Sequence, residues 1–298
     1  MPAMKAFAAH LLRMVALVLA SGIACAILVR SAPGALVDER ELDRRLGEDS
    51  LAALRAQKAK EAKLGTVFVR YLHGLILGDL GYSESNHEPI AALIAERAPE
   101  TLRELAIGLA GAWLLGLGLA IPSGRWRQSR YIFLAYDATS TIAAGFLLSL
   151  PAALVAYLCL VAGAPASVVL MLVLAPKVFQ FARNLIVQGY GASHVAMARA
   201  RGVGEARILW AHVLRAAAPQ LLAVAAVSAS MAIGAAIPIE AICDVPGLGR
   251  LAWQAALARD LPLLVNLTML VGLVTVAAMA VAETVSKHGV APAVGATA

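Results

Sequence analysis

Apolar residues along this chain fall in long unbroken runs. They show neither the alternation of a half-buried strand nor the narrow stripe of a surface helix. A helix needs about 20 such residues to cross a bilayer. The pattern predicts six such spans: about Phe7–Val29, Leu105–Gly124, Ala135–Val161, Ala166–Val187, Ala216–Ile239 and Leu261–Ala282. The third and fourth come from one uncharged stretch, Ala138–Pro176, which is too long for a single crossing. Gly163-Ala164-Pro165 divides it at a tight turn. The prediction is an all-α polytopic membrane protein with about six transmembrane helices.

Polar sequence separates the runs into four regions. Residues 1–30 carry the first span, 31–101 a charged segment, 102–285 the remaining five helices, and 286–298 a small polar tail. Within 31–101, Asp38–Leu64 reads as exposed helix, GDLGYS (Gly78–Ser83) as a turn, and PIAALIAERAPETL (Pro89–Leu102) as a short amphipathic helix. A second polar loop, 188–215, joins spans four and five.

Composition supports this picture. The chain is 60% hydrophobic and 15% charged, with a mean hydropathy of +0.77. An ordinary soluble domain is about half apolar and a quarter charged. The net charge of +6 is not a nucleic-acid footprint, because the basic clusters flank apolar runs and carry no stacking aromatics. The segment Ser31–Thr101 sums to −3 and the rest to +9. By the positive-inside rule the acidic segment lies outside the membrane. Both termini, the turn GRWRQSR (Gly124–Arg130) and the 188–215 loop then lie in the cytoplasm. Lys177 and Arg183, toward the inner end of span four, are expected to snorkel.

Catalysis finds no footing. None of the six histidines sits mid-span, and HExxH, GxSxG and GxxxxGK[ST] are absent. Ser149 and Ser228 have the depth for a membrane-embedded hydrolase but no intramembrane histidine as base. Cys25, Cys159 and Cys243 lack metal-ligand spacing and read as small buried hydrophobes. No cofactor and no metal site is expected.

The stretch His194–Leu222 carries arginines on one face and apolar residues at rough helical spacing on the other, interrupted at Gly202 and Gly204. That describes two short helices joined by a glycine turn. An interfacial lipid-binding helix accounts for the charge but gains nothing from the break. A rigid helix–turn–helix projecting into a soluble partner accounts for both.

Here the sequence resembles the permeases of binding-protein-dependent ABC importers, in the dipeptide, oligopeptide and nickel branch. HVAMARARG (His194–Gly202) aligns without a gap on that branch's YVRTARAKG-like loop, which places Ala198, Arg199, Ala200, Arg201 and Gly202 on it. Glu205 follows where the branch often keeps an acid. Ala32–Gly34, GDLGYS, PIAALIAERAPETL and IEAICDVPGLGRL (Ile239–Leu251), then Arg259-Asp260 and Pro262, match further family phrases in order. The family's Ser-Pro-Phe phrase is replaced by STIAAGFLLSLP (Ser140–Pro151), and its acidic-Pro-Arg ending is missing.

The resemblance implies a permease subunit of an ATP-driven importer, without a catalytic site of its own, in the inner membrane. Short peptides would be its cargo. ATP would be bound by two separate cytoplasmic ATPase subunits docking at the coupling loop. A paralogous permease and an extracytoplasmic substrate-binding protein would complete the assembly, and no nucleic acid would take part. Arg199 and Arg201 are expected to pair with acids on the ATPase. Pro246, Gly247, Leu248 and Gly249 are expected in a re-entrant element at the outer gate, with Glu240 either an interface charge or a pathway residue. Nickel or another small solute is the alternative cargo. An ATPase-independent channel or secondary transporter is the alternative class.

Overall fold

The computed structural model describes residues 15–28, 79–125 and 130–289. The expected exposed helix Asp38–Leu64, the Ala32–Gly34 phrase and the tail beyond 289 lie outside them. The described residues are helical throughout, apart from turns and one isolated bridge between Tyr82 and Pro89.

The helices follow the apolar runs with informative differences. The first, α1, covers Val15–Leu28. The next, α2 (Ile90–Arg125, 36 residues), fuses the expected amphipathic helix with the second span. Charges at Arg103 and Glu104 argued for a break there. They are accommodated because Arg103 Nη2 lies 2.6 Å from Glu100 Oε1, one turn back, and 3.4 Å from Glu104 Oε1.

The expected third span is two helices, α3 (Arg130–Ser149) and α4 (Ala152–Val161). They are bent by 96° at the break. Pro151 has no N–H to give and disfavours helical backbone at Leu150. Gly163, at φ +71°, and Pro165 then make the expected turn into α5 (Ala166–Tyr190).

A short helix α6 (Ser193–Ala200) and α7 (Glu205–Arg207) flank the Gly202 turn. After α7 the chain takes one π-helical stretch, Ile208–Leu214, and runs without interruption into α8 (Arg215–Ile242). The second of the two expected short helices is therefore the start of a 38-residue rod, Glu205–Ile242. Two more helices, α9 (Leu248–Ala258) and α10 (Leu261–Gly289), complete those of the described residues.

Four of these helices are long and apolar enough to cross a membrane: Ile90–Gly124, Ala166–Tyr190, Glu205–Ile242 and Leu261–Val281. The bent α3–α4 pair makes a fifth if it counts as one span, and α1 is a shorter apolar helix.

The chain divides into two compact units, one from Met1–Pro99 and Leu251–Leu273, the other from Glu100–Arg250 and Val274–Ala298. In the larger unit α5 is central: 56% of its apolar window is buried, against 22% for Glu205–Ile242. A ladder of glycines explains how α2 reaches it. A Cβ at Gly108 would sit 2.6 Å from Leu170 Cβ, at Gly116 2.7 Å from Val178 Cγ1, and at Gly124 2.7 Å from Ile186 Cγ2. Both series advance by eight residues, so α2 and α5 run parallel, and the missing side chains let the backbones approach. Trp113 Nε1 donates to Ser228 Oγ at 3.0 Å, tying α2 to α8. In the smaller unit Ala26 of α1 packs with Val265 and Met269 of α10.

Candidate functional site

The loop between α5 and α8 is closed by its own hydrogen bonds and packed against α5. Val203 N donates to Ala198 O at 3.2 Å and Gly202 N to Arg199 O at 3.0 Å. This paired closure of a helix end needs a left-handed residue between, and Gly202 supplies it at φ +77°. Val203 packs back on the cluster that holds Ala198, as this type of cap favours. Val195, Ala198, Ile208 and Val213 are buried with Phe179, Ala182, Ile186 and Tyr190 of α5. The loop is therefore seated on the end of a central helix.

Arg199 does not point outward unpaired, as the sequence suggested. Its Nε lies 2.7 Å from Glu205 Oε1 and its Nη2 3.1 Å from Oε2, a two-pronged bridge across the turn. The pair raises the Arg199 pKa, through the Glu205 hydrogen bond first, with burial working against it. Each side chain is about a third exposed, so the bridge adds at most about 1 kcal/mol of stability and acts chiefly to hold the turn. Ala200, Arg201 and Arg207 are exposed. So are Met197 (58%) and Trp210 (69%), two large apolar side chains that the sequence reading passed over. Arg183, expected to snorkel, is instead bridged to Asp137 of α3 along one guanidinium edge, Nε to Oδ1 and Nη2 to Oδ2.

Pro246–Gly249 forms a turn pressed onto the end of α8. Leu248 N donates to Thr101 Oγ1 at 2.8 Å, and Gly249 N and Arg250 N donate to Glu240 Oε2 at 2.7 and 3.4 Å. The first N–H groups of a helix have no internal acceptor, and here side chains from α2 and α8 satisfy them. The glycines follow from the approach. A Cβ at Gly249 would lie 2.7 Å from Ile237 Cα, and one at Gly247 would strike the Glu240 carboxylate and come within 2.5 Å of Thr101 Oγ1. Glu240, 1% exposed, is the anchor of this turn.

In the smaller unit the GDLGYS phrase meets the Arg259-Asp260 phrase. Asp260 is 1% exposed. Its Oδ2 accepts from Ser83 Oγ at 2.5 Å, Ser85 Oγ at 2.8 Å and Ser85 N at 3.0 Å. Its Oδ1 caps α10 by accepting from Leu263 N at 3.0 Å. Burial alone would raise the Asp260 pKa, but these donors outweigh it and hold the carboxyl below its usual range. Asn266 Nδ2 reaches Leu80 O at 3.1 Å, a second tie between the same segments. The sequence signalled these phrases separately, and nothing in their spacing showed that they meet.

These features describe a helical subunit with several helices of membrane-spanning length and a helix–turn–helix closed at Gly202. Among the described residues no cluster of three or more His, Cys, Asp or Glu is placed to hold a metal ion. Residues 112–288 match the family described as binding-protein-dependent transport system inner membrane component. The chain belongs to that family and is a permease subunit of an ABC importer, a multi-pass membrane component that works with ATPase and substrate-binding partners.

A protein of Brucella suis biovar 1 named as a peptide permease is 28% identical over 86% of this chain and 88% of its own. One of Brucella abortus (strain 2308), named as a peptide transport system permease, is 30% identical over 70% and 73%. A glutathione transport system permease of Salmonella paratyphi A is 26% identical over 78% and 79%. Among solved structures, a chain of the MetNI methionine ABC transporter in an inward-facing conformation shares the fold. Its TM-score is 0.56 at 22% identity, covering 66% of this chain and 98% of that one.

Proposed function

We propose that this chain forms half of a translocation path for short peptides, paired with a paralogous permease and driven by two cytoplasmic ATPases. The preformed loop carries the reading. A helix ended at Gly202, stapled by Arg199 to Glu205 and seated on α5, is a rigid knob with Met197 and Trp210 exposed beside Ala200 and Arg201. Such a knob suits a groove on a soluble ATPase, and its seat on α5 gives a push there a path into the membrane helices. ATP would be bound and hydrolysed on the partner chains. Arg201 and Arg207, unlike Arg199, are left for acids on that partner.

Relatives named for peptide and glutathione transport support a peptide cargo over nickel or another small solute. Six spans with both termini in the cytoplasm fit the parallel run of α2 and α5. The chain must return to its starting side between them, so the bent α3–α4 pair counts as one crossing, and α1 supplies the sixth. The Pro246–Gly249 turn then lies at the outer mouth, beside the extracytoplasmic binding protein. Uptake of labelled di- and tripeptides by cells lacking this gene, with and without its restoration, tests the cargo. Restored nickel uptake with no change in peptide uptake would overturn it.

A further inference from the structure

An ionisable side chain within a membrane span is costly and marks a pathway or a partner. Lys177 is such a side chain. It lies eleven residues from Ala166 and thirteen from Tyr190, the two ends of α5. That is roughly 16 and 20 Å of helix, too far for the side chain to snorkel as the sequence suggested. Its Nζ instead lies 3.9 Å from the Met231 thioether of α8. A thioether is a weak acceptor, and among the described residues no carboxylate is within ion-pair distance. Arg183 on the same helix, by contrast, is matched by Asp137. Lys177 is half-buried, so an incoming group can still reach it.

Lys177 also heads a polar stripe. Gln180, Asn184 and Gln188 follow it at steps of three and four residues, on one face of α5. That face is not the one that meets α2, which carries Val178 and Ile186, nor the one bridged to α3 through Arg183. Exposure rises along it: Lys177 and Gln180 are half-buried, Asn184 and Gln188 exposed. One turn before Lys177 the same face carries Val173, packed on the cluster of Ala156 from α4 and Ile239 from α8. The stripe is therefore closed by apolar side chains on one side of Lys177 and open on the other, toward α6. A row of amides is ill suited to lipid and well suited to a hydrated path. Asn184 Oδ1 accepts from Arg183 Nη1 at 3.0 Å, which leaves its Nδ2 to donate. From Lys177 to Asn184 is about 10 Å along the helix, the length of an extended tripeptide.

We propose that Lys177 binds the C-terminal carboxylate of a peptide in the translocation path, with the amides of Gln180 and Asn184 serving its backbone. The charge fixes the ligand class. A cation that faces only a thioether lacks a counter-ion, and a carboxylate supplies one. An amino terminus finds no carboxylate along this stripe, so the cargo is read at its acidic end. The inference rests on the peptide-transport reading and adds to it which end of the cargo is recognised.

Uptake of a tripeptide and of its C-terminal amide into liposomes holding the proposed complex tests this, with the binding protein saturated by each. Wild type should carry the free acid about ten-fold faster than the amide, since a hydrogen-bonded charge is lost with the carboxylate. Lys177→Met should bring the acid down to the rate of the amide, and Lys177→Arg should keep most of the preference. If Lys177→Met fails to assemble, Lys177→Gln takes its place under the same criteria. Equal wild-type rates for acid and amide overturn the inference while leaving the peptide reading intact, and that arm needs no variant. A preference that survives Lys177→Met also overturns it, because the carboxylate is then read elsewhere. A fall in both rates alongside that surviving preference assigns Lys177 to pairing with an acid on the sister permease. If wild type carries neither cargo, the peptide reading fails and this inference fails with it.

Discussion

At the scale of single residues, backbone conformation and close approach decide what each position tolerates. Gly202 has open space around its Cβ position but a left-handed backbone at φ +77°. Strain, not a clash, therefore sets its substitution pattern. Gly202→Asn, which adopts this region at small cost, should leave recovery of the ATPases in a pull-down near the wild-type level. Gly202→Val, costing on the order of 1–2 kcal/mol and reshaping the turn, should reduce it several-fold. Equal recovery with Asn and Val would remove the conformational argument.

Asp260 behaves differently, because its value lies in four accepted hydrogen bonds. Asp260→Asn weakens or loses those bonds and should cost about 1–3 kcal/mol, read as a lowered thermal midpoint of the purified subunit. Its depressed pKa fixes the sign with pH. The stabilisation is complete above the ordinary carboxylate value of about 3.9 and is lost as pH falls through the lowered one. Wild type and variant should therefore keep a constant gap in melting temperature between pH 6 and 9. A gap that closes on the alkaline side would contradict this assignment.

Among elements, the parallel packing of α2 on α5 organises the larger unit. Its glycine ladder makes a paired prediction within one helix. Gly116→Leu must displace Val178 and should sharply reduce the amount of folded subunit, whereas Gly118→Leu, with nothing within 4 Å, should be tolerated. Size-exclusion profiles of the two variants in detergent check this, and the reverse order would dismiss the ladder. The elements also show what the sequence could tell. Long apolar runs located the helices because a bilayer rewards length and apolarity alone. Arg103 and Glu104 hid the continuity of α2, because a charge suppresses the apolar signal whether it is solvated or buried. Pro151 was visible, but the 96° bend it marks depends on packing that no local pattern encodes.

For the whole molecule, the loop residues Ala198–Gly202 and Glu205 were legible as a motif, and the Gly202 turn came out as read. The engagement of Arg199 by Glu205 was not legible, since an ion pair across a turn depends on how the turn closes. The meeting of Ser83 with Asp260, and of Thr101 with Leu248, joins residues far apart in sequence, so only the fold reveals it. The charge distribution carries a further whole-chain prediction. A cysteine at Ser50 should react with a membrane-impermeant maleimide in intact cells, and one at Ser129 should not. Reversed labelling would invert the topology.

Coupling of the loop to ATP hydrolysis is the centre of the account, and one measurement addresses it most directly. The proposed complex, with a sister permease, two ATPases and a loaded binding protein, is reconstituted in lipid, and its substrate-stimulated ATP hydrolysis is compared with that of Gly202→Asp. The variant keeps the membrane helices but adds a negative charge to the knob beside Arg201. It should assemble with the sister permease and lose most of the stimulated rate, leaving only the basal rate of the ATPases. Full stimulation in the variant would mean that the loop transmits nothing, and the assignment of Ala198–Glu205 as the coupling element would fall.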